Sequence, residues 1–143
     1  MNNEEIQEMM KKDSVLDYSN LDEEALNTPN LHCKWYGIYL SENRVLKNYE
    51  FKLSKLKKEK FEYYTGRSDD AVYEEKPLFL KINKQDLELY VDADEEYQIL
   101  QGKVFIQSEK VKMILDFIKN VINCRSFFIR DAISFIRFKN GLN

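Results

Sequence analysis

The sequence predicts a mainly helical fold. Two long heptad-patterned helices form an antiparallel hairpin, with short helices at the termini. Three observations carry this. The 143 residues hold only two prolines and four glycines, few of the residues that interrupt helices. Stepping alternately by four and three from Trp35 gives Tyr39, Glu42, Leu46, Tyr49, Leu53, Leu56, Lys60 and Tyr63, all apolar or aromatic except Glu42 and Lys60. The same step works again over Tyr97, Leu100, Val104, Gln107, Val111, Ile114, Ile118 and Val121, where only Gln107 is polar. A 3.5-residue period is the seam of a helix lying along other helices.

The elements follow in order within a single domain, 1–143. Residues 1–12 place Ile6, Met9 and Met10 on one face of a short amphipathic helix. Ser14 to Asp17 and Ser19 to Asp22 both match a loose capping-box spacing, and the second opens a short helix through Leu21, Ala25 and Leu26. The long helix occupies 28–67, with Thr28 as N-cap, Pro29 in the first turn and Gly66 as its stop. At 1.5 Å per residue it is about 50 Å long, too long for the core of a small monomer. Its seam fits an intramolecular hairpin or an oligomer equally.

Residues 65–82 form an acidic loop broken by Gly66, Asp69, Asp70 and Pro77. Within it, 78–82 reads as either a short strand or an extended arm. A second helical arm covers 83–122. It begins with Asn83 capping a helix over 84–91 that buries Leu87, Tyr90 and Val91, and the second long helix follows over 95–122. Met113, Leu115, Phe117 and Ile122 widen its apolar stripe beyond a two-helix seam. The C-terminal helix, 125–139, carries Phe127, Phe128, Ile129, Ile133, Phe135, Ile136 and Phe138 on most of its sides. That distribution favours burial between subunits. Arg130 and Arg137 line its remaining face or pair at the surface, for instance with Asp131.

Charge alternates along the chain. Residues 1–32 hold eight acids and two lysines, and residues 41–67 hold eight basic residues and four acids. Residues 68–98 hold ten acids and three lysines, and residues 99–143 hold eight basic residues and three acids. A net charge of −3 therefore hides local basic footprints. On the long helix Lys47, Lys55 and Lys58 fall away from the seam, while Lys60 falls on it. Lysines beside tyrosines suit single-stranded nucleic acid, because ammonium groups neutralise phosphates and rings stack on bases. The same residues also fit a solvated face of Glu–Lys pairs.

Little points to catalysis. The chain has one histidine, which removes most His-dependent chemistry. There is no phosphate-cradling glycine loop and no nucleophile motif. Paired acids such as Asp69-Asp70 and Asp92/Asp94 read as solvated surface. His32-Cys33 lacks the further ligands of a zinc site, so neither metal nor cofactor is expected. Cys33 and Cys124 read as reduced, buried or half-buried thiols. No apolar run approaches a membrane span, and the N-terminus lacks a signal pattern.

Lys34-Trp35 and the basic helix end running into Glu62-Tyr63-Tyr64-Thr65-Gly66-Arg67-Ser68-Asp69 carry a likeness over nearly the whole chain. The sequence resembles the UvsY-type recombination mediator proteins of T4-like tailed phages. The resemblance implies non-specific single-stranded-DNA binding and a closed homo-oligomeric ring. It also implies contacts with a RecA-like recombinase, UvsX, and with the phage single-stranded-DNA-binding protein, in the cytoplasm of an infected bacterium. The family's basic DNA-contacting pair matches Lys58 and Lys60. Lysine stands at the second position where arginine is familiar, so charge is kept and the planar fork is lost. Lys55, Lys57, Lys58, Lys60, Tyr63, Tyr64 and Arg67 are the expected DNA contacts. Ile118, Phe128, Ile129, Ala132, Phe135 and Ile136 are the expected assembly positions. A purely structural coiled-coil oligomer, or an adaptor using its acidic blocks, would share much of this pattern without binding DNA.

Overall fold

A computed structural model describes residues 1–142. Among them every regular element is helical: α1 (Asn3–Ser14), α2 (Leu21–Leu26), α3 (Thr28–Tyr64), α4 (Asp70–Glu75), α5 (Leu87–Asp92), α6 (Glu95–Phe117), a π-helical turn (Ile118–Ile122) and α7 (Arg125–Lys139). The described residues group into two compact units, residues 1–42 with 109–142, and residues 43–108.

The first unit holds the main core. Ile6 of α1, Leu31 and Trp35 of α3, Ile114 and Phe117 of α6, and Ile118 and Ile122 of the π turn are all buried together. Trp35 meets Phe117 edge to face with centroids 4.7 Å apart, a favoured aromatic geometry. The indole N–H donates to Asp13 Oδ2 at 2.9 Å, and Lys34 Nζ reaches the same oxygen at 2.6 Å. Lys110 lies 3.5 Å from Glu42, so the polar seam residue is buried but ion-paired.

Arg125, at the start of α7, is almost fully buried. Its Nη2 donates to the Glu24 carbonyl at 2.7 Å and to Glu24 Oε2 at 3.0 Å, and its Nε donates to Thr28 Oγ1 at 2.9 Å. Thr28 is thus the first residue of α3, with its hydroxyl committed to Arg125, and does not act as the N-cap. The Asn27 carbonyl accepts the first bond, from Leu31. The side-chain capping box lies instead at Asn2 and Glu5, which bond each other's backbone N–H at 2.8 and 2.9 Å.

In the second unit the later half of α3 runs antiparallel to the start of α6, so that Lys60 meets Asp94 and Glu96. Tyr49, Leu53, Leu56, Lys60 and Tyr63 of the seam are all half-buried. Residues 77–83 are neither strand nor helix. The helix expected over 84–91 begins only at Leu87, after a turn over 84–86. Val91 is buried there, while Tyr90 is exposed. The acidic loop holds one helical turn and a half, α4. The expected second long helix, 95–122, leaves α geometry at Ile118, where the Asn123 N–H bonds back five residues to the Ile118 carbonyl.

Candidate nucleic-acid interface

The C-terminal end of α3 is shaped by its own sequence. The Arg67 N–H bonds the Glu62 carbonyl at 2.9 Å, and the Gly66 N–H bonds the Tyr63 carbonyl at 3.2 Å. This is a Schellman stop, and Gly66 takes the positive φ, 80°, that it needs. The chain then folds back against the helix end. Tyr63 stacks on Tyr73 with centroids 5.5 Å apart and donates its hydroxyl to the Lys76 carbonyl at 3.0 Å. Tyr73 in turn donates to the Tyr63 carbonyl at 2.7 Å. Tyr64 lies edge-on to Tyr63 and donates to Asp94 Oδ2 at 2.7 Å.

Asp94 is the centre of this tip. Its Oδ1 accepts the Tyr97 N–H at 3.0 Å, which caps α6. Its Oδ2 accepts from Tyr64 and lies 3.4 Å from Lys60 Nζ. Lys60 also reaches Glu96 at 2.8 Å, and its side chain is only 12% exposed. Burial disfavours the Lys60 ammonium, but hydrogen bonding and attraction from Glu96 and Asp94 outweigh it and raise the pKa. Burial likewise works against the Asp94 carboxylate, yet Tyr64, the Tyr97 N–H and Lys60 hold its pKa below the usual range. Burial and the bond to Asp94 push Tyr64 well above an ordinary phenol.

The seven expected DNA contacts therefore fall into separate settings. Lys60, Tyr63, Tyr64 and Arg67 line one cleft of about 620 Å³. Lys55 and Lys58 lie outside it on solvent-exposed positions of α3, the Lys58 side chain 79% exposed and 3.9 Å from Glu62. Lys57 is half-buried, with its ammonium 6.0 Å from the centre of the Phe61 ring. The cleft carries six carboxylates, Glu59, Glu62, Asp69, Glu75, Asp94 and Glu96, against Lys60, Arg67 and Lys76. Its charge repels a polyanion as it stands. Sequence reasoning placed Lys60 on the seam but missed Asp94 and Glu96 as its partners. The signal available was an acid-rich start to a heptad helix opposite a seam lysine.

Assembly positions divide as well. Ile118, Ile129 and Ala132 are buried within the chain's own first unit. Phe128 and Phe135 are exposed, as are Phe127, Ile133 and Phe138, and Ile136 is half-buried. Two grooves flank α7. One, of about 810 Å³, is lined by Pro29, His32, Ile133 and Arg137. The other, of about 870 Å³, is lined by Leu16, Tyr18, Phe128 and Phe135. Arg130 covers the Phe127 ring at 5.1 Å. Cys33 is exposed rather than buried, and Cys124 is half-buried. Among the described residues no cluster of His, Cys, Asp and Glu is placed to hold a metal ion, and no helix is long and apolar enough to cross a membrane.

Residues 9–142 match the family model described as "Recombination, repair and ssDNA binding protein UvsY". The chain belongs to the UvsY family. It is similar to the recombination protein UvsY of Enterobacteria phage T4, with 26% identity over 141 residues, spanning 96% of this chain and 97% of that protein. The fold agrees with crystal structures of the bacteriophage T4 recombination mediator protein UvsY. One lattice form aligns with a TM-score of 0.84 at 22% identity over 98% of both chains. A second gives 0.81 at 21% identity over 97% of this chain and 99% of that one. Membership in the UvsY family makes this a recombination, repair and single-stranded-DNA-binding protein.

Proposed function

We propose that this chain is a recombination mediator. It binds single-stranded DNA without strong sequence preference, assembles into a homo-oligomeric ring, and helps a RecA-like phage recombinase, UvsX, displace the phage single-stranded-DNA-binding protein. It acts in the cytoplasm of the infected host. The family match over residues 9–142 is the observation that carries this proposal.

The mechanism needs no covalent step. Lys55, Lys57 and Lys58 attract phosphates from the outer and flanking sides of α3. Lys60, Tyr63, Tyr64 and Arg67 engage the strand only where a phosphate displaces Glu96, the more exposed of the two Lys60 partners. A ring repeats this modest patch, so linked weak contacts act at high effective concentration. The exposed phenylalanines Phe127, Phe128, Phe135 and Phe138 supply the assembly surface, with Ile136 at its edge. Ile118, Ile129 and Ala132 support that surface from beneath.

The test is fluorescence anisotropy of an unstructured labelled oligonucleotide across salt concentrations. The parent should bind tightly at low salt and weaken steeply as salt rises. Lys55→Ala/Lys58→Ala should show a shallower slope, by about 0.7 for each phosphate of a single strand that is no longer neutralised. An oligomeric parent that fails to bind at low salt would leave a purely structural role instead. The loading step is checked by recombinase ATPase activity on DNA already covered by the binding protein, which the parent should restore.

A further inference from the structure

The face of α3 opposite its seam carries a feature that the tip does not. Arg44, Lys47, Phe51, Lys55 and Lys58 follow one another in steps of three and four. At about 100° per residue they fall within about 80° of one another, and they span about 20 Å of helix. All five are exposed. Phe51 sits mid-row and is 71% exposed, the most exposed large apolar side chain of α3. No carboxylate interrupts the row, in contrast to the acid-rich cleft at the tip. Lys47 and Lys58 pair within the helix with half-exposed side chains, Glu50 at 3.0 Å and Glu62 at 3.9 Å, and such pairs are weak enough to yield to a phosphate.

We infer that Phe51 is a base-stacking platform for single-stranded DNA, with Arg44, Lys47, Lys55 and Lys58 holding the backbone on either side of it. An aromatic ring standing in water between cations fits a ligand that offers π faces and negative charge together. Single-stranded nucleic acid is that ligand. An apolar protein partner would offer the row no negative charge, and a duplex would hide its base faces within the stack. This rests on the proposed single-stranded-DNA binding and names where the strand lies.

The test compares parent, Phe51→Ala, Phe51→Trp and Lys58→Ala on a thymidine oligonucleotide and on an abasic strand of equal length. Phe51→Ala should weaken thymidine binding on the order of ten-fold and leave abasic binding near the parent's. Lys58→Ala should weaken both. Trp35, the only native tryptophan, is fully buried, so Phe51→Trp adds a surface signal that thymidine strands should quench and abasic strands should not. Alanine is the better helix former, so Phe51→Ala keeps the fold. Parent-like thymidine binding by Phe51→Ala, while Lys58→Ala is weakened, overturns the platform but keeps the DNA reading. Equal losses on both strands overturn stacking. A change of native mass in Phe51→Ala assigns the ring to an interface between copies and overturns it too. Absence of low-salt binding by the parent removes the DNA reading and the platform with it.

Discussion

Asp94 does three jobs with two oxygens: it caps α6, accepts from Tyr64 and balances Lys60. Its folded pKa is depressed, so the stability it lends is complete above the unfolded value of about 3.9 and is lost as pH falls through the lower folded value. Lys60 runs the other way. Its pKa is raised, so its contribution holds below about 10.4 and fades as pH rises through the folded value. Thermal melts from pH 7 to pH 2 should show a smaller acid-limb loss in Asp94→Asn than in the parent, because the variant has already lost that one charge at neutral pH. Tyr64→Phe should cost about 1 kcal/mol in denaturant unfolding. Trp35→Ala, which empties the main core, should cost about 3–5 kcal/mol. The sequence marked Glu42, Lys60 and Gln107 as polar interruptions of two seams, and the structure buries Glu42 and Gln107 and nearly buries Lys60, each with partners. Those partners were not legible. Heptad arithmetic says which residues share a face, whereas naming Lys110 or Asp94 needs the register between helices distant in sequence.

Among the elements, α3 was the most legible because its seam repeats over many turns and its Gly66 stop is local chemistry. Gly66→Ala should cost about 1 kcal/mol, since alanine must adopt a φ of 80° to keep the Schellman bonds. Loss of unfolding free energy with unchanged helix content would be the signature. Short elements were less legible. The helix α4 and the late start of α5 each rest on about a turn and a half of chain, where propensity is a weak prior and tertiary contacts decide. Thr28 looked like a cap because threonine before proline usually is one. The buried Arg125 needed its hydroxyl more. The π turn left no mark in the pattern at all, because Ile118 and Val121 continue the apolar spacing straight through it.

For the whole molecule, self-association was suggested by aromatic density on α7, and the exposure of Phe135 and Phe138 keeps that expectation in place. Phe135→Glu should give a smaller native mass by light scattering. It should also lower DNA affinity well beyond the effect of removing any one basic side chain, although no DNA-facing residue is altered. A monomer that binds as tightly as the parent would remove avidity from the mechanism. Which basic residues stand exposed was the part that sequence could not separate, since Lys58 and Lys60 look alike until one is found at the surface beside Glu62 and the other between two carboxylates. Deleting a single codon within Ile118–Ile122 would let the backbone return to ordinary α pairing, losing no regular structure. The π turn holds one residue more than an α turn, so the shortened chain would keep α7 close to its present bearing, without the swing of about 100° that a residue lost from a plain α-helix brings. An in-frame loss within the π turn should therefore keep both the helical spectrum and the Arg125–Glu24 contact, whereas the same loss a turn earlier, within α6, should break that contact and lower the melting temperature.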